Sequence, residues 1–141
     1  MLHQLAIATI MVLLTVMIHG AGLLMLMRLL RIELHEEATM HLRAFSARTL
    51  AFVLALALGL FALHGVEIWA YAILYLGLGA LPNLETAVFF STITYSTVGY
   101  DDQGFAPSWQ LVAAIEAING VILLGWSTAF FFAIMTRLVR R

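Results

Sequence analysis

Three long apolar stretches, residues 5–27, 50–79 and 111–135, constrain this chain more than any other feature. Each is long enough to cross a hydrocarbon layer about 30 Å thick at about 1.5 Å of rise per residue. Of the 141 residues, 63% are hydrophobic and 11% are charged. A water-soluble domain of this length has no core large enough to hide so much apolar surface. The sequence therefore predicts an all-α membrane protein with three transmembrane helices set in a lipid bilayer.

Charge orients these spans. The chain has no lysine, and its arginines are Arg28, Arg31, Arg43, Arg48, Arg137, Arg140 and Arg141. The first four lie at or between the ends of the first two spans, and the last three close the chain. No positive residue precedes the first span or falls within 81–110. Positive residues are retained on the cytoplasmic side. That rule puts the N-terminus outside, the 28–48 segment inside, the segment after the second span outside, and the C-terminus in the cytoplasm. The first span reads as an anchor, because it lacks a basic leader, is too long for a cleaved signal, and is followed by its positive charges. The absence of cysteine excludes disulfides and thiolate-bound metals. Neither H-E-x-x-H nor G-x-S-x-G occurs, so nothing points to an enzyme, an organic substrate or a cofactor. Nothing suggests a nucleic-acid partner.

The organisation expected from this pattern has three parts. Residues 1–30 form a peripheral transmembrane helix, 31–49 a cytoplasmic linker helix, and 50–141 the remaining two spans with the segment between them. The linker is either a helix on the membrane surface or an extension of a neighbouring span. Its His35, Glu36, Glu37 and His41 are metal-ligand types, but a solvated helix face of mixed charge is the commoner meaning of such a run. In the second span, Trp69, Tyr71 and Tyr75 suit an interfacial aromatic belt. Gly77, Gly79 and Pro82 end it. Asn83 is then suited to cap a short helix over about 84–95, with Glu85 in its first turn. Pro107 and Ser108 restart a helix that becomes the last span. A half-helix followed by a polar strand, both between two spans, is a re-entrant loop. Non-helical backbone at membrane depth is tolerated only against protein or water.

The polar run is Ser91–Asp102, "STITYSTVGYDD". Stripping water from a monovalent cation is costly unless other oxygens replace it, and stacked backbone carbonyls do this without holding the ion too tightly. Glycine supplies the backbone angles that aim successive carbonyls inward. Thr97-Val98-Gly99-Tyr100 has that composition. It resembles the selectivity-filter signature T-V-G-Y-G-D of the potassium-channel pore family. Phe89-Phe90, Thr94 and Ser96 match the family's pore helix, and Gly120–Ala129, "GVILLGWSTA", resembles its inner helix. The resemblance covers roughly residues 50–137. It implies stacked potassium sites on the carbonyls of Thr97, Val98, Gly99 and Tyr100 and on the Thr97 hydroxyl. It implies a homotetramer, since one chain brings one filter strand and the family closes its ring with four. It also implies a gating hinge at Gly120, with Gly125 a second candidate. In the outer mouth, Asp101 replaces the family's second glycine and Asp102 follows. Aspartate visits the left-handed region more readily than most residues. A ring of these carboxylates would concentrate cations, while Asp102 would alternatively hold the pore helix to the filter.

Four ionisable residues fall inside the spans: His19, His64, Glu67 and Glu116. Such positions are costly and are functional candidates by default. His64 and Glu67 share a helix face at i, i+3. Glu67 and Glu116 lie at similar depth, so the expectation is one polar cluster of His64, Glu67 and Glu116 behind the filter, with pore-helix hydroxyls from Thr92, Thr94 or Tyr95. It is either a proton-sensitive brace or a set of hydrogen bonds that fixes packing. His19, beside Gly20 and Gly22, marks a close helix contact and reads as a packing histidine. The function expected is passive potassium transport across a bacterial inner (plasma) membrane. A weakly selective cation channel and a non-conducting scaffold or accessory subunit are the alternatives.

Overall fold

The computed structural model describes residues 1–37, 47–99 and 104–139, with side chains described as far as Leu29 in the first stretch and Thr136 in the last. Helix α1 (Leu2–Glu37) is followed by α2 (Ala47–Gly77), the short α3 (Leu84–Tyr95) and α4 (Gln110–Val139). No strand occurs among the described residues. Among the described residues, three stretches are long and apolar enough to span a membrane: Leu2–Leu29, Ala47–Gly77 and Pro107–Thr136. These are the three spans expected from hydropathy. Residues 31–37 of the expected linker continue α1, and 47–49 open α2. Nothing between Arg31 and Glu37 breaks a helix, so the span simply extends. Residues 38–46 of that linker lie outside the described residues.

Helices α1 and α2 run antiparallel and interlock through glycine. A Cβ on Gly22 would lie 2.4 Å from Leu63 Cδ1, and one on Gly59 would lie 2.7 Å from Leu26 Cδ2. Each helix thus offers a glycine to its neighbour's leucine, the two contacts standing four positions apart on each helix. Small residues allow helices in lipid to approach closely where no hydrophobic force drives them together. The expected close contact near Gly20 and Gly22 is therefore present.

A tight turn after α2 reverses the chain. Gly79 has φ +63, a left-handed angle that glycine takes without a Cβ penalty. The Ala80 N–H donates to the Tyr75 carbonyl at 2.9 Å. Asn83 caps α3 as expected: its side-chain oxygen accepts from the Thr86 N–H at 2.9 Å. With 12 residues, α3 is about 18 Å long, too short to span. It lies between α2 and α4, and the Tyr95 hydroxyl at its far end is 2.9 Å from His64, near the midpoint of α2. Helix α3 therefore descends about half a span and stops. The chain then returns, because the Ala106 N–H donates to the Ala80 carbonyl at 3.1 Å. Phe105 stacks on Phe90 with ring centroids 4.3 Å apart and meets Tyr75 edge-on at 5.2 Å. A short 3₁₀ turn, Pro107–Trp109, leads into α4.

Two apolar clusters hold the bundle. One packs Tyr71, Tyr75, Phe90, Phe105 and Val112 around the α2–α3 turn. The other packs Leu23, Phe52, Leu56 and Leu60 at the opposite end, with Phe130 and Phe131 of α4 against it. The buried stripe of α1 runs Ala8, Met11, Thr15, His19, Leu23, apolar at both ends and polar in the middle. Between the two clusters lies a buried polar layer.

Candidate functional site

The loop that follows α3 begins at this layer. The Ser96 N–H donates to the Thr92 carbonyl at 3.1 Å, the Thr97 N–H to Thr94 at 2.9 Å, and the Gly99 N–H to Ile93 at 3.0 Å. These bonds curl residues 96–99 over the end of α3 and satisfy its last carbonyls. Residues 96–99 of the expected polar strand thus form a helix cap. The physical reason is that the last carbonyls of α3 have no partner within the helix and accept from the N–H groups that follow. Thr97 has φ 61 and Gly99 has φ 50. Glycine adopts such an angle freely, but for a β-branched threonine it is strained by about 1–3 kcal/mol. Ser96, Thr97, Val98 and Gly99 are all exposed. Tyr100 of the expected filter, and Asp101 and Asp102 of the expected outer mouth, lie outside the described residues.

The polar layer brings together residues from all four helices. The His19 Nδ1 is 2.8 Å from Glu67 Oε1, and His64 Nδ1 is 3.3 Å from Glu67 Oε2. The Tyr95 hydroxyl donates to Glu67 Oε2 and lies 2.9 Å from His64 Nδ1. Ser127 Oγ stands between the two imidazoles, 2.9 Å from His64 Nε2 and 3.3 Å from His19 Nε2. His19 and Glu67 are fully buried. Every one of these groups is polar and inside a span or at the tip of α3, so each would be costly in lipid without a partner.

Glu116 does not join this group. It accepts from the Tyr75 hydroxyl and from the Ser91 hydroxyl, closer to the α2–α3 turn. The expectation of one cluster is corrected to two carboxylate nodes, one around Glu67 and one around Glu116. The inward face of α3 points a different hydroxyl at each: Ser91, one turn earlier, meets Glu116 and Tyr95 meets Glu67. Of the pore-helix hydroxyls expected, Tyr95 takes part, whereas Thr92 bonds its own helix at Val88. A smaller node lies alongside, where the Asn119 amide donates to Thr15 Oγ1 at 2.7 Å and to the Tyr71 hydroxyl at 3.3 Å.

Sequence reasoning missed His19 as a partner of Glu67, and missed Ser91, Asn119 and Ser127. A signal existed. Thr15 and His19 fall at i, i+4 on the buried face of α1, while Glu116 and Asn119 share a face of α4. Polar residues inside apolar helices are to be read together, neutral ones included.

Gly120, expected as a hinge, is placed by the structure at a contact point. A Cβ there would lie 2.1 Å from the Tyr95 carbonyl oxygen, so α4 presses against the end of α3 with no room for a side chain. Gly125 has open space around it. The pair therefore differ in surroundings although both are glycines of one helix.

The chain matches no curated protein and no solved structure. Residues 48–137, well over half of its length, match the family model described as "Ion channel". The match spans nearly all of α2, the half-helix α3, the exposed residues 96–99 beyond it and most of α4, which are the parts that place non-helical backbone at mid-span, and the chain belongs to this ion-channel family.

Proposed function

We propose that the protein conducts potassium ions passively through a pore closed by four copies of the chain. In this reading the carbonyls of Thr97, Val98, Gly99 and Tyr100, with the Thr97 hydroxyl, replace the water of the ion. The observation that carries the reading is the exposed Thr97–Gly99 backbone at the end of a helix that stops half-way along its neighbours. Polar backbone at that depth is stable only against water or other protein. A ring of copies supplies both, and it requires each Thr97–Gly99 segment to turn its carbonyls toward the common axis. The left-handed angles at Thr97 and Gly99 support this, since strain of that kind concentrates at functional backbone. The C-terminal end of α3, where the helix dipole is negative, lies beside the path and favours a cation.

The arginine distribution supports the C-terminus and the α1–α2 connection facing the cytoplasm of a bacterial inner membrane, with the α2–α3 turn outside. Asp101, standing where the potassium-channel signature has glycine, favours a second reading as a cation pore of low selectivity. One experiment separates them: the reversal potential of the purified protein in a planar bilayer, potassium on one side and sodium on the other. A value near the potassium equilibrium potential supports the first reading. A value near zero with clear current supports the second. The control is Gly99→Ala, which puts a Cβ on a residue with φ 50. It removes flux while leaving assembly intact if the loop is the filter, and undiminished flux in this variant refutes the assignment.

A further inference from the structure

The contacts around Glu67 close a ring. Taken in order it runs from Glu67 Oε1 to His19 Nδ1, from His19 Nε2 to Ser127 Oγ, and from Ser127 Oγ to His64 Nε2. It then runs from His64 Nδ1 to the Tyr95 hydroxyl, and from that hydroxyl back to Glu67 Oε2. Each of these five contacts needs one proton between its two heavy atoms. With Glu67 ionised and both imidazoles neutral, the two histidines, Ser127 and Tyr95 bring one proton each. That is one proton fewer than the ring has contacts. Whichever tautomers are chosen, one contact is left with two lone pairs facing each other, and the buried group carries a net negative charge. An added proton fills the empty contact and cancels the charge in the same step.

We propose that this ring is a binding site for one exchangeable proton, held as an imidazolium shared between His19 and His64 and balanced by the Glu67 carboxylate. Ser127 is the means of sharing: its single hydroxyl proton serves either imidazole, and the added proton sits on the other. The ring joins α1, α2, α3 and α4, so its proton ties the first helix to the last residue of α3, two residues before Thr97. Other titratable groups face it from the neighbouring helices. Tyr71 of α2 and Glu116 of α4 lie within electrostatic reach of Tyr95, while Tyr75 of α2 is engaged with Glu116. The same donors offer a metal His19, His64 and Glu67, with ligand atoms within 4.8 Å of one another. The closest of these spacings favours the proton. Nitrogen and oxygen ligands on tetrahedral zinc stand about 3.3 Å apart, whereas His19 Nδ1 and Glu67 Oε1 are 2.8 Å apart, a hydrogen-bond distance.

The test reads imidazole protonation and not ion flux, so it stands or fails apart from the conduction reading. The full chain, labelled with ¹⁵N-histidine and reconstituted in lipid, is examined by solid-state NMR at about pH 7.5, where a free histidine is about nine-tenths neutral. Signals are assigned by replacing the histidines singly. The expected result is one imidazolium equivalent distributed over His19 and His64. In Glu67→Gln the amide accepts from His19 and donates to Tyr95, so every contact is filled with both imidazoles neutral. The imidazolium signal is lost and the fold is kept. Two further variants guard against misfolding. Ser127→Ala removes the shared contacts and with them the need for the extra proton. Tyr95→Phe leaves a smaller ring closed by the 3.3 Å contact from His64 to Glu67, still one proton short, so the imidazolium persists. Neutral histidines in the unaltered protein, an imidazolium that survives Glu67→Gln or Ser127→Ala, or stoichiometric zinc in the purified protein would each overturn the proposal.

Discussion

Gly120→Ala isolates the contact between α4 and the end of α3. The new Cβ would sit 2.1 Å from the Tyr95 carbonyl oxygen, 2.9 Å from its carbonyl carbon and 3.0 Å from Cγ of its ring. A comfortable carbon-to-oxygen approach is about 3.3 Å, so the two helices must part by about 1.2 Å. The obstacle is backbone, and it is anchored, because the Tyr95 hydroxyl is held by Glu67 and His64. No side-chain rotation relieves it. Overpacking costs about 1–3 kcal/mol when flexible groups yield. Here the upper end applies, about 3 kcal/mol, or about a hundredfold in the folding equilibrium. The assay is reversible unfolding in mixed micelles of rising SDS content, followed by helical circular dichroism. Gly125→Ala is the matched control. It makes the same chemical change in the same helix, finds nothing within 4 Å, and gains helix propensity of up to about 1 kcal/mol. The two variants should shift the transition in opposite directions. Equal shifts, or none for Gly120→Ala, would refute the argument that α4 and α3 touch through this glycine.

The other predictions use the same assay. Gly22→Ala meets only the tip of the Leu63 side chain, at 2.4 Å, so it destabilises by about 1 kcal/mol. Adding Leu63→Ala should recover most of that specific loss, and strictly additive effects would count against the interlock. His19→Ala leaves Glu67 in its buried position without the partner of its Oε1 oxygen. Removing one member of a buried pair costs about 3–5 kcal/mol, and the lower end is expected because Tyr95 and His64 still reach the carboxylate. A change below about 1 kcal/mol would mean that the pair contributes little to holding α1 in place.

The apolar stretches alone determined three spanning helices, because a bilayer leaves backbone polar groups no partner but the helix itself. Asn83, the glycines and Pro107 likewise marked the turn and the short helix, since capping and breaking are local properties of a few residues. The composition of Thr97–Tyr100 marked the loop as unusual for the same reason. Which polar residues meet was another matter. His64 and Glu67 are neighbours by helix period alone, but the partnership of Glu67 with His19 depends on how α1 packs against α2, through Gly22 and Gly59. Glu67 and Glu116, alike in estimated depth, were separated by the face that α3 turns to each, with Tyr95 reaching one and Ser91 the other. Gly120 was legible as a glycine suited to bending, while the carbonyl pressed against it became visible only when two helices distant in sequence were brought together. Helix formation is decided within a few residues along the chain, but side-chain pairing between helices is decided by rotation and approach, and only tertiary packing fixes those.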